Sequence, residues 1–119
     1  MSFFALVRYI PDAERNEPVN VGVLLATTNG FTSRFVARDD VDDWSIVERF
    51  SGLLEYELSK AAEPSAELRG LAARRFPNFE VSEPRQIAAA EDLDITVDDL
   101  AFRLVATKSA LSARHADSH

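Results

Sequence analysis

The chain has 119 residues, of which 46% are hydrophobic and 28% charged, and its formal net charge is −7. This length suits one domain that buries its own core without a metal or disulfide, and cysteine is absent. The negative charge disfavours binding to anionic membranes and general nucleic-acid binding, which depends on neutralising phosphates. No stretch approaches the roughly 18 apolar residues of a membrane span. We expect one cytoplasmic domain over residues 1–112 and a disordered tail over residues 113–119.

The N-terminal part of the chain has the pattern of three β-strands. Aromatic and β-branched residues predict a first strand over residues 3–10, which lacks the basic segment of a signal peptide. A charged loop over residues 11–18 leads into a second strand over residues 19–27, and a third follows over residues 31–37.

The dipeptide Asn29-Gly30 predicts a two-residue type I′ turn between the second and third strands, because both residues tolerate positive φ. That turn would place Leu24 opposite Phe35, and Gly22 opposite Ala37. Both faces of the hairpin are then largely apolar. One face would carry Leu24, Ala26, Phe31 and Phe35, and the other Val21, Val23, Leu25, Arg34 and Val36. We expect the sheet to be covered on both sides, by helices or by a second copy of the chain.

Helical spacing of apolar residues predicts a long helix over residues 43–62 and a shorter one over residues 65–76. Residues 79–88 suggest a fourth strand, which Pro84 would restrict to an edge. A last helix would begin at Thr96 as its cap. The predicted fold is α+β, in the order β-β-β-α-α-β-α, with an antiparallel sheet of about four strands packed by the long central helix and the C-terminal helix.

Three polar residues interrupt or precede the first two strands. Arg8 lies within an apolar strand, while Glu17 and Asn20 lie at the entry to the strand that we expect to pair with it. One interpretation is structural, with Glu17 paired to Arg8 and Asn20 bonded to local backbone. The other is a recognition site at one end of the sheet. Catalysis is the weakest alternative, because no nucleophile or base completes a set.

Gly22 marks a bulge or the close approach of another backbone, since glycine is unfavourable inside a strand. Opposite Ala37 it would leave a shallow notch on the sheet, filled by a covering helix or by a ligand. The two glycine motifs that bind phosphates, G-x-G-x-x-G and the Walker pattern, are both absent from the sequence.

No residue group predicts a metal or a cofactor, and we expect neither. The acidic residues Asp39, Asp40, Asp42 and Asp43 do not have calcium-loop spacing and suit a helix start. His115 and His119 have metal-ligand spacing on a helix, but no third ligand is near in sequence. The sequence also contains a group of basic residues, Arg69, Arg74, Arg75 and Arg85. This group is either a solvated helix face or a contact for an acidic partner or a phosphate.

Most of the chain, to about Val105, resembles the domain of unknown function family 3037, which occurs in bacteria and phages, and the stretch from Phe4 to Gly22 carries the more specific motif. The motif resembles F-x-x-[VL]-R-Y-x-P-D followed by R-x-E-x-x-N-V-G-V. The matching positions are Phe4, Arg8, Tyr9, Pro11, Asp12, Arg15, Glu17, Asn20 and Gly22. A second segment, FEVSEPRQI, is similar to a family strand that ends in a proline and a basic residue, here Pro84 and Arg85. The resemblance implies no activity, but it implies a setting beside kinase-like toxin proteins.

The predicted function is a small non-enzymatic protein-interaction or regulatory module, accessory to a neighbouring kinase-like toxin protein. Its candidate binding residues are Arg8, Tyr9, Asp12, Arg15, Glu17, Asn20 and Arg85. One alternative is an enzyme or nucleotide-binding domain that brings Arg8, Glu17, Asn20 and Arg85 into one pocket. Another is an acidic phage-type inhibitor or nucleic-acid mimic, whose acidic side chains would form one stripe. The expected partner is another protein, and a homodimer through an uncovered sheet face stays open.

Overall fold

The computed structural model describes residues 2–11, 18–37, 41, 43–88 and 92–105. These residues form an α+β fold with one antiparallel sheet and three helices, as the sequence predicts. The elements are β1 (Ser2–Tyr9), β2 (Val19–Ala26), β3 (Phe31–Phe35), α1 (Trp44–Lys60), α2 (Pro64–Ala73), β4 (Phe79–Val81), β5 (Arg85–Ile87) and α3 (Leu93–Leu104).

The sheet has the order β3-β2-β1-β4, and β5 pairs with a different part of β1. The predicted fourth strand is therefore split in two, at residues 82–84, where Pro84 lacks an N–H to donate. Ser82 bridges the gap, because its N–H donates to the Leu6 carbonyl and its Oγ accepts the Leu6 N–H at 2.8 Å. Thus β4 and β5 behave as one interrupted edge strand along β1.

The β2–β3 hairpin differs from the predicted one. Gly22 lies opposite Phe35 and Ala26 lies opposite Phe31, so the register is displaced by two residues from the expected pairing. The turn spans residues 27–30, is closed by the Thr27 N–H and Oγ1, and contains no residue with positive φ. The type I′ prediction is wrong because the Thr27 side chain organises a longer loop. A displacement by two preserves the alternation, so Leu24 and Phe35 keep the same face.

A β-bulge interrupts β2. Val7 pairs with Gly22, but the next residue, Arg8, pairs with Asn20, so Val21 is one extra residue on β2. The expectation that Val21 shares a face with Val23 and Leu25 is therefore wrong. The bulge turns Val21 into the core of the opposite face.

Helices cover the sheet on both sides. The face that carries Ala5, Val7 and Leu24, here called the α1 face, packs against α1 and α2. The other face, here called the α3 face, packs against the α3 residues Val97, Leu100, Ala101 and Val105. Helix α3 lies mainly over β2 and β3. The α3-face side chains of β1 and β5, such as Phe4, Leu6 and Ile87, are consequently only half-buried.

The helix starts follow ordinary capping chemistry, with two differences from the sequence prediction. The Asp43 carboxylate caps α1 by accepting the Ser45 N–H, as expected for that residue, whereas Asp39, Asp40 and Asp42 lie outside the described residues. Pro64 opens α2 because its fixed φ suits a first helical residue. Helix α3 begins before Thr96, since the Asp92 carboxylate accepts the N–H groups of Asp94 and Ile95.

Candidate binding cavity

A cavity of about 280 Å³ opens on the part of the α3 face that α3 leaves uncovered. It lies between the outward residues of β1, the β4–β5 connection and the C-terminal end of α3. The lining residues are Phe4, Leu6, Arg8, Ser82, Glu83, Arg85 and Leu104. Alternate residues of β1 thus supply an apolar floor that ends in a guanidinium, and charged side chains occupy the opposite wall.

Arg8 is held by two hydrogen bonds. Its Nε–H donates to Oδ1 of Asn20 at 3.2 Å, and its Nη1–H donates to Oε1 of Glu80 at 2.9 Å. Glu80 lies directly opposite Arg8 across the β1–β4 ladder. The side chains of both ions are half-exposed, so we expect the pair to contribute little to stability. Its main consequence is to fix the orientation of the guanidinium.

Asn20 connects this arrangement to α3. Its Nδ2–H donates to the Leu104 carbonyl at 3.1 Å, while its Oδ1 accepts from Arg8. The bulge makes this geometry available, because it brings Asn20 opposite Arg8; in an uninterrupted ladder Asn20 would lie opposite Tyr9. One amide therefore positions both the arginine and the end of α3 that forms a cavity wall.

Replacing Asn20 by alanine should lower the free energy of unfolding by about 1–2 kcal/mol, because two part-buried hydrogen bonds are lost. Asn29→Ala is the matched control: Asn29 lies exposed in the β2–β3 turn without positive φ, so its loss should change stability by less than about 0.5 kcal/mol. Urea denaturation of both variants measures the difference. Equal stabilities would show that Asn20 does not tie α3 to the sheet.

The structure places the predicted binding residues in three groups. Arg8 and Arg85 line the cavity, and Asn20 is bonded to Arg8. Tyr9 lies on the α1 face, where it is buried and its ring centroid is 5.1 Å from that of Phe79. The remaining predicted residues, Asp12, Arg15 and Glu17, lie outside the described residues, as does the predicted tail over residues 113–119. In the described part of the chain, the carboxylate that pairs with Arg8 is Glu80, which the sequence analysis does not predict. The expected pairing with Glu17 lies outside the described residues.

Several cavity residues are absent from the sequence prediction. Leu6 could have been found, because Phe4, Leu6 and Arg8 alternate along β1 and must share a face. Ser82, Glu83 and Leu104 could not be assigned in this way. They reach the cavity only through the pairing of β1 with β4 and β5 and through the seat of α3 on the sheet.

No group of three or more His, Cys, Asp or Glu side chains among the described residues could hold a metal ion. None of the helices described is long and apolar enough to cross a membrane.

The chain was also compared with known proteins. No curated protein and no solved structure matches it. The family described as Protein of unknown function (DUF3037) matches residues 4–66, more than half of the chain. Arg8 and Asn20 lie within the matched residues, and Arg85 lies beyond them. The resemblance noted in the N-terminal motif is thereby confirmed, and the chain belongs to the DUF3037 family.

Proposed function

We propose that this protein is a non-enzymatic interaction module that binds a protein partner at the cavity on its α3 face. One observation carries the proposal. Helix α3 covers only the β2–β3 half of that face, and the remaining half presents an apolar floor beside two arginines. A concave apolar surface with a few fixed polar groups is the usual form of a binding site.

Before a ligand binds, Arg8 is already oriented and Arg85 has no ionic partner among the described residues. Asn20 and Glu80 hold Arg8 in one orientation, so its guanidinium loses little freedom when a ligand arrives. Arg85 is exposed on the rim and forms no ion pair with any described residue. It is therefore available to an anionic group, and arginine is common at protein interfaces.

The enzyme or nucleotide-binding alternative also requires Arg8 and Arg85 to meet, and both line this cavity. No glycine motif for phosphate binding accompanies these arginines in the sequence, which favours the interaction module instead. The cavity, at about 280 Å³, lies at the lower limit of the roughly 300–1,000 Å³ of pockets that hold drug-sized ligands.

The acidic-mimic alternative has less support from the described residues. Asp43 and Asp92 cap helices, while Asp98 and Asp99 pair with Arg34 and Arg103. These four carboxylates satisfy the protein's own donors and cations.

The test is quantitative capture of partners by the immobilised protein from a bacterial lysate, with Arg85→Glu as the variant. A specific partner should be reduced about tenfold or more, because the substitution replaces an attractive charge by a repulsive one. A kinase-like toxin protein, implied by the resemblance, is the first partner to test directly.

Arg69→Glu is the matched control for charge, since Arg69 is equally exposed but lies on α2, over the opposite face of the sheet. It should leave capture unchanged. Circular dichroism should show that both variants fold. Equal loss in the two variants, or the absence of any specific partner, would contradict the proposal.

A further inference from the structure

We infer that the cavity recognises the C-terminal residue of its partner: a free carboxylate with an apolar side chain beside it. This inference rests on the proposed function and adds the chemical group that is bound. The carboxylate would contact Arg85 and Arg8, and the backbone N–H of the same residue would donate to Glu83. The side chain would lie on the floor formed by Phe4 and Leu6, against the wall formed by Leu104.

The arginines favour a carboxylate. The two hydrogen bonds of Arg8 to Asn20 and Glu80 leave further N–H donors of its guanidinium unused by described residues. Arg85 lies opposite Phe4 across the β1–β5 ladder, so its side chain starts at the apolar floor. A planar guanidinium matches the two oxygens of a carboxylate, and such charge-assisted hydrogen bonds are the stronger ones.

Glu83 argues against a simple anion such as phosphate. Its exposed carboxylate lines the same cavity, so it would repel a group that carries only negative charge. A terminal residue presents both a carboxylate and a backbone N–H, which satisfies Arg85 and Glu83 together. The presence of both Arg85 and Glu83 in the cavity lining therefore favours a ligand with an acceptor and a donor close together.

The size of the cavity favours one residue rather than a longer segment. A volume of about 280 Å³ equals that of about nine water molecules in the liquid. The end of α3 closes one side through Leu104, which is anchored by Asn20. A chain that ends in the cavity fits this shape, and the rest of the partner would leave through the open side.

The test uses two labelled pentapeptides, Gly-Ser-Gly-Ser-Leu with a free C-terminal carboxylate and the same peptide with a C-terminal amide, titrated against the whole protein by fluorescence polarisation. The acid should bind with a Kd about tenfold lower than that of the amide, the effect expected for one charge-assisted hydrogen-bonded contact. In Arg85→Gln this preference should fall to about twofold or less. Arg69→Gln, the matched control on α2, should retain it.

Equal affinities for acid and amide, or no binding of either peptide up to millimolar concentration, would overturn the inference. Free leucine is the third probe; binding as tight as that of the peptide would also overturn it, in favour of a small-molecule site. Partner capture distinguishes a failure of this inference from a failure of the proposed function. If partner capture depends on Arg85 but is unchanged when extra residues are added to the partner's C-terminus, the module stands and the terminal-residue inference falls.

Discussion

Phe50→Ala is expected to lower the free energy of unfolding by about 3–5 kcal/mol, the usual cost of removing a buried phenylalanine. Phe50 is 7% exposed, and its ring stacks on Phe79 with 4.1 Å between centroids and meets Phe76 edge-on at 4.8 Å. These contacts join α1 to β4 and to the turn before it. Truncation would leave a cavity that neighbouring elements fill only in part.

The matched control is Tyr56→Ala, an aromatic truncation on the same helix. Tyr56 is 61% exposed and lies beneath the Lys60 ammonium at 4.9 Å, so its loss should cost about 1 kcal/mol or less. Urea denaturation of both variants gives the comparison.

Because Phe79 precedes Glu80, weaker packing in the Phe50→Ala variant should also loosen the Glu80 carboxylate that orients Arg8. Similar costs at the two positions would show that the ring cluster does not secure β4.

Gly22→Ala should destabilise the protein by about 1–3 kcal/mol through overpacking. A Cβ built at Gly22 would lie 2.5 Å from Cδ2 and 2.6 Å from Cε2 of Phe35. The Phe35 ring covers the bulge where Gly22 lies, so the ring or the bulge must move to admit a methyl group. A displaced bulge would in turn shift Asn20 away from Arg8.

Gly52→Ala is the control with the opposite sign. Gly52 lies in α1 with open space around it, so alanine should stabilise the protein by about 0.5–1 kcal/mol through helix propensity. The clash itself is tested in a Phe35→Ala background, where Gly22→Ala should become nearly neutral. An unchanged cost in that background would mean that the backbone at the bulge, and not the ring, excludes a side chain.

The existence and type of most elements could be predicted from residue pattern. Alternation marks the first strands, and the spacing of Val47, Phe50, Leu54 and Leu58 marks α1. Pro84 correctly indicated that the fourth strand lies at an edge, but its division into β4 and β5 was not predicted. Two local details were wrong for physical reasons: Thr27 competes with Asn29-Gly30 in forming the turn, and Asp92 is a better-placed cap than Thr96.

The sequence by itself determined the α+β class and the family motif, and it indicated that Asn20 belongs with Arg8. Gly22 indicated a bulge or a close approach in this strand, but the sequence could not place the extra residue at Val21, because a one-residue shift in pairing depends on what each face of the sheet packs against. Only the tertiary structure decided that Arg85 lies near Arg8, that Tyr9 belongs to the core, and that Leu104 closes the cavity. These relations join residues far apart in the chain, so they follow from strand pairing and helix packing rather than from local pattern.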